Sequence, residues 1–178
     1  MAIGRLVAAK RWDVLIRAWT HVAERVAIAG DGELHKQLGV LADSLGVSDR
    51  VRFLGHRDDV AELLEGASVL VSTSQSEGFA YSVLEALQAE CVVVSTPTGV
   101  ANQLVPEAFR FPVGDSEQCA GIVNRTLKDL SRARGAFAGA WRAAKELTVA
   151  RMVRETERIY ANALRAAGVE AGSVQRRR

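Results

Sequence analysis

Cysteine is scarce in this chain of 178 residues: Cys91 and Cys119 stand alone, with no metal-ligand spacing between them. They read as buried packing residues in a reducing compartment. Net charge is equally meagre at +2, which gives no reason to expect nucleic acid as a specific partner. No apolar run approaches the roughly twenty residues that span a bilayer, and no secretory signal precedes the first apolar segment. The expected compartment is therefore the cytoplasm. Aromatic residues make up 6% while Ala and the aliphatics are abundant, the balance of helices packed on a buried sheet. A three-glycine dinucleotide fingerprint is missing too, since Gly30, Asp31 and Gly32 supply two glycines and read as a turn.

What is present alternates strand and helix. Residues 1–7 predict a first strand, with Ala8, Ala9, Lys10 and Arg11 after it and an apolar helical face of Val14, Leu15, Ala18, Trp19 and Val22 over 13–21. A second strand at 25–29 leads into a helix over 33–45 stopped by Gly46, and a third at 51–54 ends in Gly55, His56 and Arg57. Asp58 or Asp59 is placed to cap a helix over 60–65. A fourth strand at 68–71 and a fifth at 91–95 follow, the latter an unbroken β-branched run suited to burial on both faces. A weaker strand is predicted at 109–111, and then the pattern turns helical over 116–130, 131–147 and 149–167. Thr148 is a possible cap for the last helix and Gly168 its stop. His21 and His35 fall in helical segments and read as surface or packing residues.

This order predicts an α/β fold: a Rossmann-like, doubly wound parallel sheet with helices on both faces and a helical C-terminal region. In such sheets ligands bind beyond the carboxyl ends of the strands, and here each of those ends carries a charged or glycine-bearing loop. The most informative loop follows the fourth strand. Val69, Leu70 and Val71 give way to Ser72, Thr73 and Ser74, and the chain passes through Glu77 and Gly78 into a helix starting near Ala80. That helix start offers unpaired amides and a positive dipole end to an anion. Glu77 and Glu85 bracket it, and carboxylates serve hydroxyl groups rather than phosphates. A ligand bearing both phosphate and sugars suits the pair.

Five segments, taken in order, carry a resemblance. They are Gly4 and Arg5 with Lys10; Ala29 to Gly32; Arg50 to Gly55; Glu77 to Ala80 with Glu85; and Val92 to Thr96 with Gly99. The set resembles the donor-binding C-terminal half of the retaining nucleotide-sugar glycosyltransferases of GT-B fold (glycosyl transferases group 1, with its E-x7-E motif), over nearly the whole chain. The resemblance implies catalytic roles for Arg5, Lys10 and Glu77. Arg5 and Lys10 would hold the donor diphosphate and stabilise the leaving phosphate, with no metal required, and Glu77 would bind the transferred sugar. It further implies donor contacts from Gly4, from Gly55, His56 and Arg57 beside the base, from Gly78, Phe79, Ala80 and Tyr81 at the helix start, from Glu85 to the ribose, and from Gly99.

The sequence departs from that family's pattern where Glu90, Cys91 and Val92 replace a common glycine and proline, where Val100 replaces a second glycine and where Gln103 replaces an acid. The expected organisation is a donor-binding domain over 1–168 and a basic, disordered tail over 169–178, with no N-terminal acceptor domain encoded. The resemblance accordingly implies half of a cleft: a chain that takes a nucleotide sugar and needs a separate acceptor-binding domain or subunit, with the helix over 149–167 a candidate for that association. Two rival readings use the same architecture, a catalytically inactive nucleotide-sugar-binding module and half of an epimerase or phosphorylase.

Overall fold

The structure is a computed structural model that describes residues 1–166; the predicted stop at Gly168 and the basic tail lie outside the described residues. Five parallel strands form the centre: β1 (Ala2–Ile3), β2 (Val26–Ala29), β3 (Val51–Gly55), β4 (Val69–Ser72) and β5 (Val92–Ser95). One ladder runs β1-β2-β3 and a second runs β4-β5. They meet at Met1, whose amino group donates to Val69 O at 2.9 Å and whose carbonyl accepts from Val71 N at 2.8 Å. The spatial order is thus β3-β2-β1-β4-β5, all parallel, with the order of strand addition reversing between β1 and β4. At such a switch point the loops leaving the two strands part and open a crease.

Hydrophobicity explains the order of burial. Val92, Val93 and Val94 of β5 are fully buried, as a strand covered on both faces requires. Helix α1 (Trp12–Ala18) packs on α2 (His35–Ser44) and α6 (Ser116–Lys128), while α3 (Val60–Glu65) packs on α4 (Tyr81–Gln88). Right-handed crossovers place α1 and α2 on one face of the sheet and α3 and α4 on the other. The expected doubly wound α/β architecture is therefore present. A short α5 (Ala101–Leu104) follows β5, and α7 (Leu130–Glu146) closes the helical region.

Several expected boundaries give way to local physics. The first strand stops at Ile3 rather than continuing to residue 7, because Gly4 N bonds Ala29 O and the chain then bends into a 3-10 turn, Ala8–Lys10. Helix α1 ends at Ala18, three residues short of the expected bound, where bonds from Thr20 N to Arg17 O and His21 N to Ala18 O tighten the chain. The weak strand at 109–111 is replaced by a 3-10 turn, Glu107–Phe109, and a single bridge between Ser95 and Arg110. Pro112 has no N–H to extend that pairing. Asp59 occupies the N-cap of α3 without capping it, since Arg57 claims its carboxylate and holds it below the usual range. Gly46 does take the left-handed conformation, at φ 66°.

The chain divides into two compact units, Met1–Ala144 and the segment from Lys145 onward. The second contains α8 (Val149–Ala166), begun by Thr148 Oγ1 accepting from Arg151 N at 3.2 Å. Among the described residues no helix is long and apolar enough to cross a membrane.

Both cysteines are buried in the first unit. Burial pushes the Cys119 thiol up to about 12 and raises that of Cys91, whose Sγ donates to Leu64 O and Ala67 O at 3.1 Å. Thiolate is the reactive form, so neither should react with a disulfide reagent at pH 8 in the folded protein, and both should react on unfolding. Titration of native protein with more than a trace of fast-reacting thiol would contradict this packing.

Candidate functional site

The site is built from loops that leave β1, β4 and β5. Beyond β1 the backbone of Gly4 runs so close to the β2 loop that a Cβ on Gly30, where φ is 142°, would lie 1.9 Å from Gly4 O. Only glycine permits that approach. Trp12 Nε1 then donates to Arg5 O at 2.9 Å, fixing the loop from inside the core. The 3-10 turn that follows presents Lys10, whose side chain lies over Gly4. Arg11 stands in the left-handed region at φ 49° and is held there by two bonds to the Asp13 carboxylate, 2.9 and 3.0 Å. Those bonds keep the Asp13 carboxyl below its ordinary range.

The loop after β4 is stapled on both sides. Thr73 Oγ1 donates to Lys10 O and Gln75 N to Ala9 O, both at 2.8 Å, so the crease between β1 and β4 is bridged at its floor. On the other side Thr96 Oγ1 donates to Ser74 O at 2.7 Å and Thr96 N to Ser72 O at 3.0 Å. This fixed segment delivers Glu77 to Lys10, with Nζ 2.5 Å from Oε1. Ser74 Oγ donates to the same oxygen at 2.7 Å.

Helix α4 begins immediately afterwards. Its N-cap, Ala80, is in the left-handed region at φ 67° and ψ 64°, and no side chain caps the helix. A non-glycine residue there carries strain of about 1–3 kcal/mol that the surroundings must hold in place. Gly99 holds it from behind, with φ 54° and with Val100 N donating to Phe79 O at 2.8 Å. Phe79 and the exposed Tyr81 lie with ring centroids 5.1 Å apart and planes tilted by 50° beside this uncapped helix start. Its free amides and dipole favour an anion.

The remaining expected residues are placed less intimately. Arg5 is exposed and makes no ion pair among the described residues. Glu85 projects from α4 opposite the buried Val83, Leu84 and Leu87, and partial burial raises its carboxyl above the ordinary value. Gly55 closes β3 at φ 68° and its carbonyl accepts from Gly30 N at 2.7 Å. His56 and Arg57 are turned to local acids, His56 to Asp58 at 3.1 Å and Arg57 to Asp59 at 2.8 Å. Gly78 is exposed with open space around its Cα. Two surface cavities of about 480 and 680 Å³ lie elsewhere, against α6 around Ile122 and Arg125. The site itself is an open crease at the strand ends.

Sequence reading missed the residues that hold this crease: Arg11, Thr73, Ser74 and Thr96. One signal was available, since Thr73 and Thr96 are buried polar residues directly after apolar strands and so need partners. Among the described residues no group of three or more His, Cys, Asp or Glu side chains is placed to hold a metal ion.

The strand order, the crease at the strand ends and the cation and helix start beside it define a Rossmann-like α/β domain shaped for a charged ligand at its switch point. The chain belongs to the family described as glycosyl transferases group 1, which its residues 1–129 match. It is 32% identical over 135 residues to the lipopolysaccharide core biosynthesis glycosyltransferase LpsE of Rhizobium meliloti, covering 74% of this chain and 40% of that protein. Over 181 residues it is 29% identical to the D-inositol 3-phosphate glycosyltransferase of Salinispora tropica, covering 91% and 38%. The chain thus spans well under half the length of these relatives. Among solved structures, Anabaena Alr3699/HepE in complex with UDP-glucose superposes with a TM-score of 0.81 at 25% identity, over 90% of this chain and 48% of that one. The catalytic domain of cholesterol-alpha-glucosyltransferase from Helicobacter pylori matches in fold, with a TM-score of 0.74 at 21% identity over 83% of this chain and 99% of that one. The fold is that of one half of a GT-B glycosyltransferase.

Proposed function

We propose that this chain is the donor-binding half of a retaining glycosyltransferase. It takes a nucleoside-diphosphate sugar and transfers the sugar only when an acceptor-binding domain or subunit completes the cleft. The observation that carries the reading is the meeting of Lys10 and Glu77 beside the uncapped start of α4. A diphosphate leaving group gathers negative charge as the sugar departs, and a fixed cation with a helix N-terminus stabilises that charge without a metal ion. Arg5, exposed and without an ion pair among the described residues, adds a second cation from the same loop. Glu77 accepts from sugar hydroxyls and Glu85 from the ribose. The UDP-glucose complex of the structural relative supports a nucleotide-sugar donor, and the proposed setting is the cytoplasm. Holding two substrates together with water excluded needs both walls of a cleft, which is why one wall alone binds and does not turn over.

The test is calorimetric and thermal. A nucleoside diphosphate, screened across UDP, GDP and ADP, should raise the melting temperature of the wild-type chain, and Glu85→Ala should erase most of that rise. A melt indifferent to all three would end the donor reading. Acidity supplies a second check. Ribose hydroxyls donate to the ionised carboxylate, so binding favours ionised Glu85, whose carboxyl desolvation raises above its ordinary value. Affinity should therefore weaken as pH falls through the mildly acidic range, and the ratio of wild-type to Glu85→Gln affinity should fall with it. A ratio flat with pH would remove Glu85 from the ribose.

A further inference from the structure

Lys10 and Glu77 pair with each other, yet a nucleotide sugar asks them to serve its two ends. Resting on the donor reading above, the proposed roles send the ammonium of Lys10 to the diphosphate and leave the carboxylate of Glu77 to the sugar. Ligand entry therefore draws away the cation that holds Glu77 in place. The second donor on Glu77 is independent of Lys10: Ser74 Oγ, 2.7 Å from the same Oε1. Ser74 is buried, 2% exposed, and its main chain is pinned through its own carbonyl by Thr96 Oγ1 at 2.7 Å. Its neighbours are pinned as well, by Thr73 Oγ1 to Lys10 O and Gln75 N to Ala9 O at 2.8 Å. The main chain that carries this hydroxyl is thus held by bonds that do not involve the Lys10 side chain. Both donors converge on Oε1, and Oε2 is left without a hydrogen-bond partner among the described residues.

We propose that Ser74 is the positioning residue of this site: it holds the Glu77 carboxylate through Oε1, so that Oε2 accepts from a sugar hydroxyl once Lys10 has moved to the diphosphate. Ser74 then governs recognition of the sugar and leaves recognition of the diphosphate alone. A merely structural serine would weaken both ligands together.

Isothermal titration of the full chain separates these cases. Wild type, Ser74→Ala, Ser74→Thr and Glu77→Ala are titrated with the nucleoside diphosphate that binds wild type and with the same diphosphate carrying glucose, galactose or N-acetylglucosamine. For Ser74→Ala the affinity for the bare diphosphate should stay within about threefold of wild type, while the added affinity from the best sugar falls about tenfold, the size expected for one hydrogen bond to a charged acceptor. That loss should match Glu77→Ala, and Ser74→Thr, which keeps the hydroxyl, should recover most of it. Three results overturn the proposal: equal weakening of both ligands in Ser74→Ala, an unchanged sugar increment in that variant while Glu77→Ala loses it, or no sugar increment in wild type. Absence of any diphosphate binding in wild type would instead overturn the donor reading itself.

Discussion

Lys10→Ala should cost this protein its nucleoside diphosphate almost completely, with a dissociation constant raised about 100-fold or more. Two effects add. The first is loss of charge-assisted bonds from the ammonium, each worth roughly 1.5–3 kcal/mol where the partner is ionised. The second is the fate of Glu77. Its side chain is 15% exposed and its cation lies 2.5 Å away, so removing Lys10 leaves a largely buried carboxylate facing the incoming phosphates. Repulsion then replaces neutrality. The double variant Lys10→Ala/Glu77→Gln should for that reason bind better than Lys10→Ala alone, a coupling that a double-mutant cycle reads directly. Arg5→Ala, by contrast, removes an exposed side chain with no ion pair among the described residues and should weaken binding far less. Fluorescence or calorimetric titration settles the matter; a Lys10→Ala chain that binds within a few-fold of wild type would detach Lys10 from the phosphate.

That prediction separates what the sequence declares from what only folding assembles. The drop from Val69, Leu70 and Val71 into Ser72, Thr73 and Ser74 declares a strand ending in a polar loop, and the three buried valines of β5 declare a central strand, because polarity and β-branching act over a few neighbouring residues. Glu85 opposite Val83, Leu84 and Leu87 is likewise a matter of helical period. The Lys10–Glu77 contact joins residues 67 apart, and the Thr73 bond to Lys10 O joins residues 63 apart. No local pattern encodes such a separation; it follows from two strands becoming neighbours in the sheet. The left-handed backbones at Arg11 and Ala80 were hidden for another reason, since neither is glycine and nothing in a bare sequence marks an alanine that its surroundings hold in strain. His56 and Arg57 sit at a strand end, as expected, and each is paired with an acid two residues further on, Asp58 and Asp59.

The same distinction between contact and support applies to Gly99, which the family resemblance places among the donor contacts. A Cβ at that position would lie 2.6 Å from Phe79 O, 2.7 Å from Phe79 C and 3.1 Å from Ala80 N, all backbone atoms of the turn that begins α4. Backbone cannot swing aside as a side-chain tip can, and the residue is in the left-handed region at φ 54°, so Gly99→Ala meets a clash and a conformational penalty together. The expected cost is about 2–4 kcal/mol, or a fall of roughly 5–15 °C in melting temperature for a chain of this size. Whatever remains folded should bind nucleoside diphosphate at least about tenfold more weakly, because the amides at Phe79 and Ala80 are pushed out of register with Lys10 and a displacement of about 1 Å suffices for such a loss. Gly78→Ala is the control: one residue from Phe79, it has nothing within 4 Å of its added Cβ and should leave stability nearly unchanged. If Gly99→Ala melts and binds like wild type, the turn is not seated on Gly99 and the strain at Ala80 needs another source. If it fails while Gly78→Ala does not, then Gly99 acts from behind the site, as the seat on which the uncapped helix start is held open to its ligand.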